Sequence, residues 1–260
     1  MINKVKPVSG VVNSHVSVDC VIFGFDFEEL KVLLIQRKET DKSVDGSEDI
    51  VREGSWALPG NLILEDESLD QGAERALVEL TGLDNIYLEQ FRAFGNPDRV
   101  RKPSDVLWLK SVRQDPSARV ITVAYFSLVK LMDYNPNPSS FATRVEWFKI
   151  GDVPELAFDH NEIVDAALEA LKSRLRRRPV GFALLPPKFT LGQLQKLYEA
   201  ILRMPLDKRN FRKKMLKKGI LIALDEKQQG VPHKPAQYYQ FDREKYLQLT
   251  DADFDFAPLA

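Results

Sequence analysis

The segment from Leu58 to Leu83 constrains the fold of this chain more than any other part of the sequence. It predicts a helix that begins after Ser68, because Ser68 and Gln71 have the spacing of a capping box. The helix is expected to end at Gly82, since glycine readily adopts the left-handed conformation there. At about 100° per residue, the apolar side chains share one face, which predicts that this face is turned towards the core. These residues are Leu69, Ala73, Ala76, Leu77 and Leu80.

The order of residues in this segment is similar to the Nudix box. That pattern reads Gly, five residues, Glu, seven residues, Arg-Glu, an apolar residue, any residue, Glu-Glu, any residue, Gly and an apolar residue. Asn61 stands at its first glycine, and Ala76 and Leu80 stand at two glutamates that bind metal in Nudix enzymes. The resemblance therefore implies a Nudix frame without its central metal ligands. The matching residues are Glu67, Arg75, Leu77, Glu79, Gly82 and Leu83.

Nudix chemistry needs several carboxylates on one helix edge, because Mg²⁺ and Mn²⁺ bind oxygen ligands and neutralise a diphosphate during attack by water. This chain keeps Glu67, Arg75 and Glu79, which we interpret as residual rather than catalytic. We predict no metal site, no cofactor and no enzymatic activity. The alternative is a Mg²⁺-dependent hydrolase of a nucleoside diphosphate derivative such as ADP-ribose. Its carboxylates would come from two long polar segments that read as loops, Glu39–Ser55 and Asn96–Arg119.

Charge is unevenly distributed along the chain, although the formal net charge is only -1. Residues 172–218 contain fifteen Lys and Arg but only two acidic residues, and such segregation favours a polyanionic partner. Because Cys20 is the single cysteine, no internal disulfide can form, and we expect a reducing, cytoplasmic compartment. No apolar run is long enough to cross a bilayer, so we predict no membrane partner.

Strand and helix patterns follow one another to about residue 178 and predict an α+β fold. We place a degenerate Nudix domain at residues 1–178, a linker at 179–188 and a second domain at 189–260. Prolines in the linker disfavour a continuing helix. The predicted architecture is an α/β/α sandwich with a mixed sheet, followed by a small winged helix-turn-helix domain.

The second domain has the element order of a winged helix-turn-helix. Thr190 begins another capping-box pattern, which precedes an apolar stripe at helical spacing. A Met-Pro-Leu turn interrupts this helix, and Asp207 and Gly219 can begin and end the next one. Two short strands then flank a polar loop that contains His233 and Lys234.

The second helix of this domain, Lys208–Lys218, is strongly basic. Phe211 and Met215 predict its buried side, and cations and an amide lie on the opposite side. Such donors can meet the phosphates and base edges of duplex DNA. The alternatives are a merely solvated helix face, or a surface for RNA or for another protein. The candidate DNA-binding residues are Arg209, Asn210, Arg212, Lys213, Lys214 and Lys217, with His233 and Lys234 at the hairpin tip.

Five segments of the chain carry a further resemblance. They are AFGNPDR (Ala93–Arg99), RVITVAYFSL (Arg119–Leu128), LAFDHNEIV (Leu156–Val164), FTLGQLQKLYEAIL (Phe189–Leu202) and DKRNFRKKMLKKG (Asp207–Gly219). Through them the chain resembles the Nudix-related transcriptional regulators of the NrtR-like type. The resemblance implies a homodimer on double-stranded operator DNA, acting as a repressor that an effector releases. The implied effector is an ADP-ribose-type nucleotide or a sugar such as arabinose.

By their positions in such a fold, six residues are candidates for the effector site. Arg37 and Arg99 suit a ligand that carries phosphate. Core packing explains Trp56 and Tyr125 at least as well, and His160 can instead cap a helix or pair with its neighbour Asp159. The six candidates are Arg37, Trp56, Asn61, Arg99, Tyr125 and His160.

Overall fold

The computed structural model describes residues 10–41, 50–100, 102–112, 115, 118–177, 181–232 and 234–250. Two compact units make up the chain. The first lies within Met1–Gly24 and Lys31–Ala167, and the second within Phe25–Leu30 and Leu168–Ala260. No helix in the described ranges combines the length and the apolar character needed to span a bilayer.

A seven-stranded sheet is the framework of the first unit. Its strands are β1 (Val12–Phe25), β2 (Leu30–Asp41), β3 (Ile50–Ala57), β4 (Gly60–Leu64), β5 (Glu89–Phe94), β6 (Ile121–Lys130) and β7 (Ala142–Lys149). They follow the order β3-β2-β1-β6-β5, while β4 also pairs with β1 and β7 with β2. The pairs β1–β4, β2–β3, β2–β7 and β5–β6 are antiparallel.

The helix α1 (Leu69–Thr81) begins and ends as the sequence predicts. The Ser68 hydroxyl accepts a hydrogen bond from the backbone N–H of Gln71 at 3.2 Å, and the Gln71 side chain accepts one from the N–H of Ser68 at 2.9 Å. Gly82 has a φ of 69° and donates its N–H to the carbonyl of Val78 at 2.9 Å. Both caps satisfy backbone groups that a helix end leaves without an intrahelical partner.

The apolar face of α1 packs on the sheet through two clusters of buried residues. Ala76 lies in the larger cluster with Cys20 of β1 and Tyr125 of β6. Leu80 lies in the second with Ile35 of β2. Because burying a side chain of this size stabilises a fold by roughly 1.5–3 kcal/mol, this face decides how α1 is oriented. The helix α2 (Pro103–Val112) also lies in this unit, and α3 (His160–Arg177) begins in it and continues into the second unit, which resumes at Leu168.

The first polar segment, Glu39–Ser55, is not a simple loop, so that prediction was wrong. β2 continues to Asp41 and β3 begins at Ile50, and the two strands pair in an antiparallel hairpin. Residues 42–49 lie outside the described ranges. The polar sequence suggested a loop, but β3 is an edge strand. An edge strand can keep its backbone pairing while its side chains are charged.

The second polar segment, Asn96–Arg119, contains α2, which the sequence analysis also missed. Pro103 takes the first helical position, where its missing N–H removes no intrahelical hydrogen bond and its fixed φ suits the helix. Asp105 lies in the first turn, where a carboxylate interacts favourably with the helix dipole. These two residues were the available signal for a helix beginning in this segment.

Beyond α3, the described residues of the second unit form a short strand, two helices, a β-hairpin and a further helix. These are β8 (Phe189–Thr190), α4 (Leu191–Leu202), α5 (Lys208–Lys217), β9 (Leu221–Lys227), β10 (Gln237–Phe241) and α6 (Arg243–Thr250). The strands form an antiparallel sheet in the order β8-β10-β9. This arrangement confirms the predicted winged helix-turn-helix, to which the structure adds β8 and α6.

Aromatic contacts hold the second unit together. The rings of Tyr198 in α4 and Phe211 in α5 meet edge to face at 5.5 Å. Between these helices, the Glu199 carboxylate accepts the N–H of Leu206 at 2.8 Å, which defines the turn. Phe182, in the segment predicted as a linker, stacks on Phe241 of β10 at 4.3 Å. The orientation of α5 therefore depends on a small apolar core.

Replacing Phe211 with alanine should locally destabilise the second unit. Phe211 is 2% exposed, and removing a buried phenylalanine side chain costs about 3–5 kcal/mol. Native-state hydrogen exchange of α4 amides in the full chain measures the loss. Leu216→Ala is the matched control on the same helix, because Leu216 is 45% exposed and should change stability by less than about 0.5 kcal/mol. Equal protection of α4 amides in both variants would contradict this packing.

Candidate functional site

A cavity of about 210 Å³ opens in the first unit. Apolar side chains such as Ile35 and Phe158 form part of its wall, and a few polar groups converge on it. Such a combination is usual for small-molecule sites. The polar and charged lining residues are Ser17, Asp19, Arg37, Asn61, Arg99 and His160.

Arg99 lies between two carboxylates at the wall of this cavity. Its Nε and Nη2 donate to the two carboxylate oxygens of Asp159 at 3.0 Å and 2.8 Å, and Nη2 lies 3.6 Å from Oδ2 of Asp19. Burial alone would lower the pKa of Arg99, but the hydrogen bond to Asp159 and both negative charges raise it overall. The bidentate pairing fixes the plane of the guanidinium, so Arg99 is held in place before any ligand arrives.

Arg37 and Asp105 form a second ion pair, whose side chains are 1% and 0% exposed. Nη2 of Arg37 donates to Oδ1 of Asp105 at 3.0 Å, and Oδ2 of Asp105 accepts the N–H of Phe158 at 2.8 Å. The Arg37 guanidinium also lies 5.1 Å from the centre of the Phe158 ring. Because breaking a buried pair leaves an uncompensated charge at a cost of about 3–5 kcal/mol, this contact anchors α2 beside β2.

His160, the first residue of α3, is buried beside the cavity. Its Nδ1 accepts the N–H of Leu58 at 2.9 Å, and its Nε2 lies 3.5 Å from Oδ1 of Asp19. Burial lowers the pKa of His160, and the charge of Asp19 opposes this only in part. The ring is therefore neutral at pH 7, with its proton on Nε2. Asp159, which the sequence offered as a partner of His160, forms its hydrogen bonds with Arg99.

Asp19 owes its position to a close approach between β1 and β4. It faces Gly60 in the antiparallel register. A Cβ atom at Gly60 would clash with the Asp19 carboxylate and come within 2.5 Å of the Val18 carbonyl. Only glycine permits this approach, so Gly60 places a buried carboxylate against the cavity.

The structure brings together four of the six residues predicted for the effector site. Trp56 lies outside the cavity lining and packs edge to face against Phe148, with ring centres 4.7 Å apart. Tyr125 is buried in the core and donates its hydroxyl to Asp70 at 2.6 Å; burial and this hydrogen bond raise the pKa of Tyr125. Core packing accounts for Tyr125, whereas Trp56 is half-buried on the Phe148 ring, and an effector role for the set stays a prediction. The four lining residues are Arg37, Asn61, Arg99 and His160.

Two carboxylates at this site were not predicted from the sequence: Asp19, which lines the cavity, and Asp105, which pairs with the lining residue Arg37. Asp19 interrupts a run of apolar residues in β1, and a charged residue in a buried strand is a signal that it needs partners. Asp105 was hidden because the segment around it was predicted as a loop. Both carboxylates contact arginines that lie far away in the sequence, and such pairings follow only from the tertiary fold.

The three residual Nudix residues on and before α1 bind one another. Arg75 donates from Nε to Glu67 at 2.8 Å, from Nη1 to Glu79 at 3.0 Å and from Nη2 to the Leu62 carbonyl at 2.9 Å. Glu67 also accepts the N–H of Leu64 at 2.7 Å. Hydrogen bonding to Arg75 lowers the pKa of Glu67. The network thus ties α1 to the segment that precedes it.

These residues do not fit a dedicated divalent-cation site. Ala76 and Leu80 are both 0% exposed and offer no oxygen atom. Glu67 and Glu79 are paired with Arg75. Within the described ranges, no group of three or more His, Cys, Asp or Glu side chains is placed to hold a metal ion. Because Mg²⁺ requires several oxygen ligands in near-octahedral geometry, no metal-dependent step follows from this geometry.

The second unit presents a basic face on α5. Asp207 caps this helix by accepting the N–H of Asn210 at 2.7 Å, and Phe211 and Met215 are its buried residues. Lys234, beyond β9, is exposed, and His233 lies outside the described residues. The predicted contact residues of α5 therefore lie on the side away from its core. Arg209, Asn210, Arg212, Lys213 and Lys217 are exposed and Lys214 is half-buried.

Both parts of the chain match known families. Residues 13–167 match the family described as NUDIX domain, which is more than half of the chain. Residues 181–241 match the NrtR DNA-binding winged helix domain. These matches confirm the predicted Nudix fold and winged helix.

Three relatives are similar to the chain over different extents. The ADPR responsive transcriptional repressor NtrR of Acinetobacter baylyi is 32% identical over 92% of this chain and 84% of that protein. The ADP-ribose pyrophosphatase of Methanocaldococcus jannaschii is 26% identical over 54% of this chain and 68% of that protein. The crystal structure of Shewanella oneidensis NrtR complexed with a 27mer DNA has a TM-score of 0.60 at 28% identity. It covers 88% of this chain and 94% of that chain.

Restoring the missing glutamate through Ala76→Glu should destabilise the first unit by about 3 kcal/mol or more, because a buried carboxylate would lack a partner. The chain's three tryptophans are Trp56, Trp108 and Trp147, so tryptophan fluorescence during urea denaturation reports the unfolding of this unit. Gln71→Glu adds the same charge at an exposed position of α1, keeps the capping box and should change stability by less than about 0.5 kcal/mol. An Ala76→Glu chain as stable as the control would show that this edge is not core.

Acid should weaken the first unit through His160. Its pKa lies below its ordinary value of 6.5, so the unfolded chain binds this proton more readily than the folded chain. The free energy of unfolding should therefore fall as the pH drops through about 6.5, by up to about 1.4 kcal/mol per unit of pKa difference. In His160→Asn the amide oxygen can still accept the Leu58 N–H, and the pH dependence between about 7.5 and 5.5 should shrink. The same urea titrations check this, and an unchanged pH dependence would contradict it.

Proposed function

This chain belongs to the NrtR-like family, which joins a Nudix domain to a DNA-binding winged helix domain, and we propose that it is a transcriptional repressor controlled by an ADP-ribose-type nucleotide. The observation that carries this proposal is the 32% identity to an ADPR responsive repressor over 92% of the chain. That similarity extends over the cavity and over the basic helix alike. We further propose that the protein acts in the cytoplasm as a homodimer on a palindromic operator.

The chemistry of α5 supports DNA as the partner of the second unit. Exposed arginine and lysine side chains can neutralise phosphates, and Asn210 can pair with the edge of adenine. In a helix-turn-helix the second helix lies in the major groove while the first crosses the backbone, and α5 is the second helix here. We assign Arg209, Asn210, Arg212, Lys213, Lys214 and Lys217 to this interface, with His233 and Lys234 in the wing.

The relatives favour a nucleotide over a sugar as the effector. The Acinetobacter protein responds to ADPR, and the Methanocaldococcus protein acts on ADP-ribose. An arabinose-type effector gains no support from these relatives. The cationic side chains of Lys110 and Arg119, at a groove next to the cavity, are consistent with a ligand that carries phosphate.

Release of DNA by an effector requires differential affinity. A ligand shifts the protein away from its DNA-binding arrangement only as far as it prefers the other arrangement. By the same linkage, operator DNA must weaken the binding of the effector by the same factor. The two affinity changes can therefore be measured separately and compared, whichever residues connect the two sites.

A Mg²⁺-dependent hydrolase is the second candidate, and the similarity to an ADP-ribose pyrophosphatase over 54% of the chain is what favours it. Hydrolysis would need metal ligands other than Ala76 and Leu80, which are buried and apolar. Turnover of ADP-ribose in the presence of Mg²⁺, lost in Glu79→Gln, would identify this activity.

Fluorescence anisotropy with labelled DNA from upstream of the chain's own gene tests the repressor directly. We expect tight, salt-dependent binding that ADP-ribose reverses and that arabinose and xylose leave unchanged. Equal affinity for RNA or for unrelated duplexes would instead favour a nonspecific nucleic-acid partner.

Removing two lysines from α5 should weaken DNA binding at all sequences. Lys213→Gln with Lys217→Gln removes two exposed charges, and each lost phosphate contact should reduce the slope of log affinity against log salt by about 1. The same anisotropy assay at several salt concentrations measures this slope. Lys149→Gln, at an exposed position of β7, is the control and should leave affinity and slope unchanged. An unaltered slope in the double variant would place the DNA elsewhere.

A further inference from the structure

Two recesses adjoin each other in the first unit. The cavity of about 210 Å³ shares Arg99, Val100 and Val120 with a groove of about 460 Å³. Alone, the cavity is smaller than the roughly 300–1,000 Å³ usual for small-molecule sites. A nucleotide-sized ligand that enters the cavity must therefore extend beyond it, and the groove is its continuation.

The cavity is poor in free positive charge. Arg37 and Arg99 bring two positive charges, but their carboxylate neighbours Asp105, Asp159 and Asp19 bring three negative ones. The neutral ring of His160 adds none. Because both guanidiniums are already paired with carboxylates, a phosphate inside the cavity would have to compete with those carboxylates for them, whereas an uncharged group with hydroxyls would not.

The groove has the opposite character. Its charged lining residues in the described ranges are Arg99, Lys110 and Arg119, without a carboxylate among them. Lys110, on α2, and Arg119, before β6, are exposed. Arg119 donates from Nη2 to the carbonyl of Gly95 at 2.8 Å, which directs the guanidinium while leaving it further N–H donors. Two long cationic side chains at one groove are suited to bind phosphate.

Asp19 is the acceptor that a hydroxyl-bearing group would find in the cavity. Its carboxylate is 8% exposed, yet its contacts with Arg99 and His160 are 3.6 Å and 3.5 Å long. Those lengths exceed the usual hydrogen-bond range of about 2.7–3.2 Å. A ligand hydroxyl that donates to Asp19 would supply the short hydrogen bond that a buried carboxylate requires.

We propose that the effector binds across both recesses, with its phosphate groups between Lys110 and Arg119 and an uncharged, hydroxyl-bearing ring donating to Asp19 in the cavity. This assignment rests on the proposed function, since it takes a sugar nucleotide as the ligand. The groove then attracts the charged phosphates, and the cavity selects a ring that carries hydroxyl groups. Lys110 and Arg119 then distinguish a phosphorylated effector from a simple sugar.

Isothermal titration of the full chain with ADP-ribose tests this division. Lys110→Gln combined with Arg119→Gln should weaken binding about tenfold or more, because the charge-assisted hydrogen bonds of both side chains to the phosphates would be lost. The deficit should shrink at about 0.5 M salt, where screening already weakens charge attraction in the unmodified chain. The matched control is Arg92→Gln with Lys149→Gln, which removes two charges from strands outside both recesses and should leave the affinity unchanged.

Asp19→Asn gives the opposing test inside the cavity. If a hydroxyl-bearing ring donates to Asp19, the amide accepts less strongly and the affinity for ADP-ribose should fall about fivefold or more, independently of salt. If a phosphate occupied the cavity instead, removing this negative charge would strengthen binding. Stronger binding by Asp19→Asn, or unchanged binding by the Lys110/Arg119 double variant, would overturn the assignment.

Failure of this assignment is distinguishable from failure of the proposed function. An unmodified chain that binds ADP-ribose and releases DNA, alongside a double variant that does both equally well, would refute only the assignment. An unmodified chain that neither binds ADP-ribose nor releases operator DNA would refute the proposed function, and the two-part site with it.

Discussion

The burial of Ala76 and Leu80 between α1 and the sheet is the constraint on which the first unit depends. In a Nudix enzyme these positions carry metal-binding glutamates, and here they are fully buried among residues of β1, β2 and β6. A helix edge cannot both pack against a sheet and hold a hydrated cation, because carboxylates at those positions would lose their solvation. The same two residues that stabilise α1 therefore remove the oxygen ligands that diphosphate hydrolysis needs.

Because the edge of α1 that binds metal in Nudix enzymes is buried here, the charged groups suited to ligand binding lie at the cavity instead. Its ion pairs join groups from separate elements, with Asp19 on β1, Arg37 on β2, Asp105 on α2 and Asp159 just before α3. Each pair fixes a polar side chain before any ligand binds, which lowers the ordering cost of binding. In the proposed site these fixed groups bind the effector in the cavity, and the neighbouring groove with Lys110 and Arg119 extends the site.

Structural features that depend on residues close together in the sequence could be predicted, whereas features that depend on distant residues could not. The caps at Ser68 and Thr190, the left-handed turn at Gly82 and the buried side of α5 were all predicted, because each follows from residues a few positions apart. The hairpin of β2 with β3 and the helix α2 were missed, since both lie in polar segments without an apolar period. Trp56 and Tyr125 were placed near the effector from their positions in a Nudix-like fold, whereas the structure puts them outside the cavity lining. The partners of Arg37 and Arg99 required the tertiary fold.

We propose that the Nudix domain of this chain binds a nucleotide without hydrolysing it and that its winged helix binds DNA. One experiment tests both halves together. Labelled upstream DNA is bound by the full chain, ADP-ribose and Mg²⁺ are added, anisotropy is followed, and the nucleotide is then recovered and analysed. We predict that the DNA is released and that the ADP-ribose is recovered intact. DNA that stays bound while the nucleotide is cleaved to AMP and ribose 5-phosphate would contradict the account.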